Sequence, residues 1–566
     1  MNPPEWTTAM PDWERRIIAG ESLIHPPLFP HEARDALQVF DELRMVDAIG
    51  SPRMGDVCRP WMRDFAASVF GSYDSGYDEN MVDTGSPTAG RRLIREFFLL
   101  ISKKNGKSTV AAAVMLTALL RNWRKSGEFL ILAPTHEIAK NSFDPARDMV
   151  NADEELRELI LVQEHIKTLT HRVTGATLKV VAAENETVGG KKAIGVFLDE
   201  TWQFGKKANA ENMLREAFGG MMSRPEGFII TASTMADAAP AGVFRQRLQY
   251  ARKVRDGEII DNKFMPVIFE FPKAMIDSKE YRNPKNFYIT NPNLGASVDE
   301  EHLVNEFEKA EQESENSLIG FASKHLNLEI GLALRSDRWA GADFWEAQGR
   351  EGITLDAILT RCDVVDVGID GGGLDDLLGL VVIGRDRITR EWLLWGRAWA
   401  HPSVLERRKS EAARFKDFAK DGDLVLVETI GNDVVEVAQI VAEIEASGLL
   451  DKVGCDPAGI GSVLDALIAE DVPQEKIVGV SQGWRLGGSI KTLERKLAEG
   501  ALIHSGSPMM AWVVGNAKVE PRGNSILITK QASGFAKIDP LMAAFNAVSL
   551  MSLNPDGGGK SFWDTK

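Results

Sequence analysis

Ile101-Ser102-Lys103-Lys104-Asn105-Gly106-Lys107-Ser108-Thr109 lies between two apolar runs, Phe97-Phe98-Leu99-Leu100 and Val110-Ala111-Ala112-Ala113-Val114-Met115-Leu116. The first run reads as a buried strand and the second as a helix, so the stretch is a tight loop that opens a helix. In that setting backbone N–H groups and the helix N-terminus cradle phosphates. Lys107 would reach the β and γ oxygens, and Ser108 would ligate Mg²⁺. Ile101 stands where the first glycine of G-x-x-x-x-G-K-[ST] is expected. Taken alone, the loop is also compatible with an exposed basic turn that caps a helix.

A second segment supports the phosphate reading. Ala193-Ile194-Gly195-Val196-Phe197-Leu198-Asp199-Glu200 is an apolar strand that ends in two adjacent carboxylates. Asp199 would hold Mg²⁺ and Glu200 would polarise the attacking water. A strand stopping at a charged turn is the plainer alternative, but loop and strand together, in this order, point to a P-loop ATPase. Lys103, Lys104, Asn105, Gly106, Lys107, Ser108 and Thr109 are then the ATP-binding residues. Phe129 to Thr135 is a further strand with a polar turn. Phe228-Ile229-Ile230-Thr231-Ala232-Ser233-Thr234 ends in hydroxyls; Thr231 and Ser233 could sense the γ-phosphate or simply turn the chain.

At 566 residues with 44% apolar side chains, the chain can build more than one core. Cys58, Cys362 and Cys455 are far apart and form no C-x-x-C pair, which argues against a disulfide scaffold or a zinc module. The apolar run Val110 to Leu120 is too short to span a bilayer, and the N-terminus lacks a signal-peptide profile, so a soluble protein of a reducing compartment is expected. A net charge of −16 is awkward for a nucleic-acid enzyme without excluding one, because local basic stretches remain, among them Arg121 to Lys125 and Arg245 to Arg255.

Alternation of strand-like and helical runs predicts a parallel-rich sheet sandwiched by helices. The expected organisation is a helical lead-in over 1–55, an ATPase core over 56–240 and a lid and linker over 241–350. A second α/β domain then follows over 351–552, with a disordered tail over 553–566. In the second domain Asp366-Val367-Gly368-Ile369-Asp370 presents an acid at a strand end. Leu380 to Ile383 and Trp392 to Trp395 could continue it as a meander. Gly454-Cys455-Asp456-Pro457 ends another strand in an acid, and Lys537-Ile538-Asp539-Pro540 opens a helix. Carboxylates converging in this way build a two-metal phosphodiesterase site. On the residues alone, Asp456-Pro457 and Asp539-Pro540 read more readily as a helix cap followed by proline at N1 than as catalytic acids. Glu428, inside Leu424-Val425-Leu426-Val427-Glu428, reads as another buried-strand acid and is a weaker candidate.

These segments, from about Trp61 to Leu550, resemble the large terminase subunit of tailed double-stranded DNA bacteriophages. The match rests on the Lys103 to Ser108 loop, whose missing first glycine is typical of one large terminase group. It also rests on Val196 to Glu200, on Ile230-Thr231-Ala232-Ser233 and on Asn291-Pro292-Asn293-Leu294-Gly295. In the second half it includes Gly368-Ile369-Asp370 with Asp376, Gly454 to Pro457, Ser481-Gln482-Gly483, Leu502-Ile503-His504 and Lys537-Ile538-Asp539. The resemblance implies an α/β architecture, an ASCE-type P-loop ATPase followed by an RNase H-like nuclease. It makes Asp370, Asp456 and Asp539 metal ligands for two Mg²⁺ or Mn²⁺, beside the Mg²⁺ and ATP of the motor.

The implied partners are double-stranded DNA, a portal protein and a small terminase subunit. The implied assembly is a homo-oligomeric ring on the portal with a monomer in solution, in the bacterial host cytoplasm and absent from the mature virion. Lys103 and Lys104 stand where related loops carry an arginine finger, and Lys lacks its forked geometry. Arg59-Pro60-Trp61-Met62-Arg63, on the adenine side, has no Gln. Arg147, Arg172, Arg215 and Arg224 are open choices for a trans-acting arginine. A helicase-like or restriction-type ATPase/nuclease would share the first half; a nucleotide-binding scaffold would not need Glu200.

Overall fold

A computed structural model describes residues 6–182, 193–206, 210–329, 339–373, 376–409, 411–457, 461–522, 525–530 and 537–556. It divides into two compact units, Met1–Ile330 and Gly331–Lys566.

The first unit is built on an eight-stranded sheet. In spatial order its strands are Phe264–Ile268, Glu96–Leu100, Phe228–Ser233, Ala193–Leu198, Glu128–Ala133, Thr177–Ala182, Thr168–His171 and Ile160–Gln163. All neighbouring pairs are parallel except the last two. The central strands are buried on both faces, which is why they read as unbroken apolar runs. The helix Lys107–Leu120, apolar all round, is buried along nearly its whole length.

The strand Phe264–Ile268 falls inside the stretch expected to be lid and linker, and the first unit continues to Ile330. Pro266 hides this strand from a sequence reading. Proline donates nothing to a ladder and is tolerated here because the strand is at the sheet's edge. Helices Glu300–Glu313 and Glu315–His325 follow, capped by the Asp299 and Ser314 side chains.

In the second unit Cys362–Gly371, Leu378–Asp386 and Trp392–Ala400 form the expected antiparallel meander. Leu450–Cys455 pairs in parallel with the first of them and Ile477–Gly479 extends that side, giving a mixed sheet. Val365, Val367 and Ile369 pack towards Val437, Val441 and Ile444 of helix Asn432–Ala446. On the opposite face, Val364 shares a core with Leu541, Phe545 and Val548 of helix Asp539–Met551. Side chains alternate along a strand, so Asp366 and Asp370 share the face of Val364 and of that helix. The expected tail lies outside the described residues from 557 onward.

Asp366 is fully buried and accepts one hydrogen bond, from Lys452 N at 3.2 Å. Burial first, and Asp451 second, push its carboxyl up to about 7. The folded state therefore keeps the proton where the unfolded chain releases it, and stability falls as pH rises from about 4 to 7. Asp366→Asn should raise the unfolding midpoint of the second unit at pH 7.5 and leave it nearly unchanged at pH 5, as read by paired melting curves of the full chain.

Candidate active sites

The first site lies at the C-terminal ends of the parallel strands. Gly106 enters the P-loop helix at φ 73°, a left-handed conformation that favours glycine. Lys107 follows it and is 7% exposed; its Nζ pairs with Asp199 Oδ1 and with Glu200 Oε1, the latter at 2.8 Å. Burial works against the Lys107 charge, and the two carboxylates more than offset it, holding the ammonium above the ordinary lysine range. Burial likewise opposes the Glu200 charge, and Lys107 reverses that effect, so Glu200 is held below the usual carboxylate range.

Asp199 also accepts from Ser142 Oγ at 2.6 Å and from Ser108 Oγ at 3.4 Å. Glu200 sits at φ 49° and takes a hydrogen bond from the Trp202 indole. These groups line or adjoin a cleft of about 850 Å³, bordered by Lys103, Lys104, Asp144 and Asp148, with Arg59 and Met62 on another wall. Loop residues Gly106 to Thr109 line it as well. Arg147 pairs with Asp144 and Asp148 at its margin.

Thr231 and Ser233 are buried at the strand end, but Ser233 is occupied within the protein. It donates to Thr234 O at 2.8 Å and accepts from Trp202 N at 3.1 Å. The next residue, Thr234, is the one that lines the cleft.

Asn105 does not face solvent as a loop tip would; it is the hub of a buried clasp. Its Nδ2 donates to Asn291 Oδ1 at 2.8 Å, and its Oδ1 accepts from Asn293 N at 3.0 Å. Asn293 Nδ2 donates to Asn105 O at 3.0 Å, and Asn293 Oδ1 accepts from Trp61 Nε1 at 2.7 Å. Ser297 Oγ donates to Lys104 O at 2.7 Å, and Lys103 N to Lys324 O at 2.9 Å. The Asn-Pro-Asn segment expected to be linker therefore braces the phosphate loop.

In the second unit Ile369 and Cys455 are register partners on parallel strands, so Asp370 and Asp456 leave the sheet side by side. The Cys455 thiol is pushed up to about 12, by burial first and then by these two charges. A Cβ added at Gly371, whose φ is 92°, would lie 2.9 Å from Asp539 Cβ, which brings the third acid to the same strand end. Asn546, on the Asp539 helix, donates to Ile369 O at 2.9 Å and accepts from Gln482 Nε2 at 2.9 Å. Asp376 pairs with the buried Lys537.

Asp539 does not stand at the N-cap position that the capping alternative gives it. It is the first helical residue, after Ile538 at the N-cap position. Glu428 is exposed beyond its short strand, Leu424–Leu426, and does not match the buried strand acid expected. Among the described residues, no group of three His, Cys, Asp or Glu side chains is gathered closely enough to hold a metal unaided.

A phosphate loop facing two carboxylates in one unit, and strand-end acids on a mixed sheet in the other, define a P-loop ATPase joined to an RNase H-like nuclease. Family comparison agrees: residues 85–253 match "Terminase large subunit, ATPase domain" and 266–553 match "Terminase large subunit, endonuclease domain". The chain belongs to the terminase large subunit family. It is 24% identical over 512 residues to the terminase large subunit of Enterobacteria phage HK97, covering 88% of this chain and 90% of that one. Against the terminase large subunit of Lactococcus phage p2 it is 22% identical over 496 residues, 84% of each chain. The crystal structure of the HK97 large terminase aligns at a TM-score of 0.46 and 21% identity over 92% of this chain and 99% of that one.

The protein is thus a DNA-packaging ATPase and endonuclease that binds DNA and uses nucleotide and metal ions. Among the described residues no helix is long and apolar enough to cross a membrane.

The clasp supplies a direct test of the loop's support. Asn293→Ala leaves the Trp61 N–H and the Asn105 carbonyl buried without their partner. It should cost about 2–4 kcal/mol of first-unit stability in denaturant titrations and weaken nucleotide binding.

Proposed function

We propose that Lys107, Ser108, Asp199 and Glu200 form the ATP site. The buried contact of Lys107 with both carboxylates carries this reading. Lys107 would turn to the β and γ phosphates when ATP enters, releasing Asp199 and Ser108 for Mg²⁺ and Glu200 for the attacking water. The loop residues Lys103 to Thr109 surround the phosphates. Lys103 and Lys104 supply positive charge without the forked geometry of arginine.

In the nuclease unit, Asp370, Asp456 and Asp539 are proposed to hold two Mg²⁺ or Mn²⁺ ions. Three carboxylates are hard oxygen donors of the kind these ions prefer, and each leaves the fold at the same strand end. Bound ions would supply an activated water and charge neutralisation of the leaving oxygen. The chain's own part is to fix the acids: the sheet register sets Asp370 beside Asp456, and the helix start delivers Asp539. The motor is further proposed to act in the host cytoplasm, docked as a ring on a portal protein and supplied with DNA by a small terminase subunit.

Lys107→Ala should abolish ATP hydrolysis while the second unit melts unchanged. Glu200→Gln should bind ATP and hydrolyse it on the order of a thousandfold more slowly; failure to bind would make Glu200 structural. Asp539→Asn should abolish Mg²⁺- or Mn²⁺-dependent DNA cleavage at an unchanged melting temperature and with ATPase activity intact. An active Asp539→Asn enzyme would remove that residue from the metal site.

A further inference from the structure

Two buried hydroxyls stand out in the nucleotide cleft. Ser102 Oγ and Thr234 Oγ1 are buried, in residues with essentially no exposed surface, and neither has a hydrogen-bond partner among the described residues. Both line the cleft that holds Lys107 and Glu200. A buried hydroxyl without a partner is costly, so such groups are rare and call for a ligand that completes them. One further unpartnered atom lines the cleft, Arg59 Nε, whose guanidinium reaches Leu294 O on another wall.

Register places the two hydroxyls together. Leu100 pairs with Ser233 on adjacent parallel strands, and Ile101 N donates to Ser233 O at 3.1 Å. Ser102 and Thr234 therefore follow within two residues of neighbouring strand ends. Leu198 pairs with Thr231 on the other side of the same strand, which brings Glu200 to that rim. Ser233, by contrast, spends its hydroxyl on Thr234 O and Trp202 N.

We infer that Ser102 and Thr234, with Glu200, hold the water that attacks ATP. This rests on the ATP-site reading above and adds to it the two residues that aim the nucleophile. In that step the water oxygen bonds to the γ-phosphorus as the bond to the β–γ bridging oxygen breaks. The electron pair leaves with ADP and the water's proton passes to Glu200. Two fixed hydroxyls restrict the water's position, and positioning of this kind acts on turnover more than on ground-state affinity.

Ser102→Ala, Thr234→Val, Thr234→Ser and the double Ser102→Ala/Thr234→Val variant of the full chain test this, with Lys107→Ala alongside. Phosphate release would give kcat and a fluorescent ATP analogue would give Kd. Ser102→Ala and Thr234→Val should each lower kcat about tenfold to a hundredfold with Kd within about threefold of the parent. The double variant should lose little more than the worse single one, because both groups hold one water. Thr234→Ser should recover most of the rate. In the absence of nucleotide, Thr234→Val should melt no lower than the parent, since it removes an unpartnered buried hydroxyl.

Parental kcat in both single variants, with Lys107→Ala inactive, would overturn the water assignment and leave the ATP site standing. Lowered melting together with a proportionate loss of affinity would make the hydroxyls structural and overturn it as well. Active Lys107→Ala would overturn the ATP-site reading itself.

Discussion

One buried ammonium organises the motor half of this protein. Lys107 is taken out of water at the start of a helix that is itself buried, and an unpaired charge there would cost several kcal/mol. The adjacent carboxylates at the end of the Ala193–Leu198 strand remove that penalty. Their position depends on the sheet: the phosphate loop and the acidic strand end come together because their strands flank Phe228–Ser233 in parallel. Ser142 and Trp202 then take up remaining acceptor capacity on the two acids, which limits how far either can swing. In the proposed ATP site, a polyanion offering the lysine better partners would free both carboxylates at once, so that binding and activation would be one event.

The nuclease half meets a different constraint. Its three proposed metal-binding acids are alike in charge and are brought to one end of the sheet. The fold does this with backbone geometry. Register fixes Asp370 and Asp456, and the close seating of helix Asp539–Met551 on the strand, secured by Asn546 against the Ile369 carbonyl, fixes Asp539. Lys537 enters the same neighbourhood yet is paired with Asp376, one carboxylate removed from the three.

Much of this was readable from residue order. Unbroken apolar runs gave the central parallel strands, because burial on both faces leaves no alternation to obscure them. Glycine before lysine and the Asp199-Glu200 pair pointed to the cleft proposed to hold phosphate, since those chemistries are local in sequence. The Phe264–Ile268 strand was not legible because an edge position excuses a proline that would normally argue against a strand. The roles of Asn105, Asn291 and Asn293 were hidden for another reason. Their contacts join residues nearly two hundred positions apart, and asparagine next to glycine or proline reads as an ordinary turn. Glu428 misled in the opposite direction, since an acid closing an apolar run can be the first residue outside the core. Asp539-Pro540 has the composition of a cap, and that the helix starts at Asp539 and not after it was not legible in that composition.

The clasp around Asn105 also bears on the chemical lifetime of the loop. Asn105-Gly106 is the dipeptide in which an asparagine side chain most readily cyclises onto the following peptide nitrogen and ages to aspartate or its isomer. Cyclisation requires the amide to rotate towards Gly106 N. Here both ends of that amide are held, the nitrogen by Asn291 and the oxygen by the Asn293 backbone, in a residue sealed from solvent. The arrangement that shapes the phosphate loop therefore also acts as its preservative. A carboxylate appearing at position 105 would be a molecular record of time spent with the clasp undone.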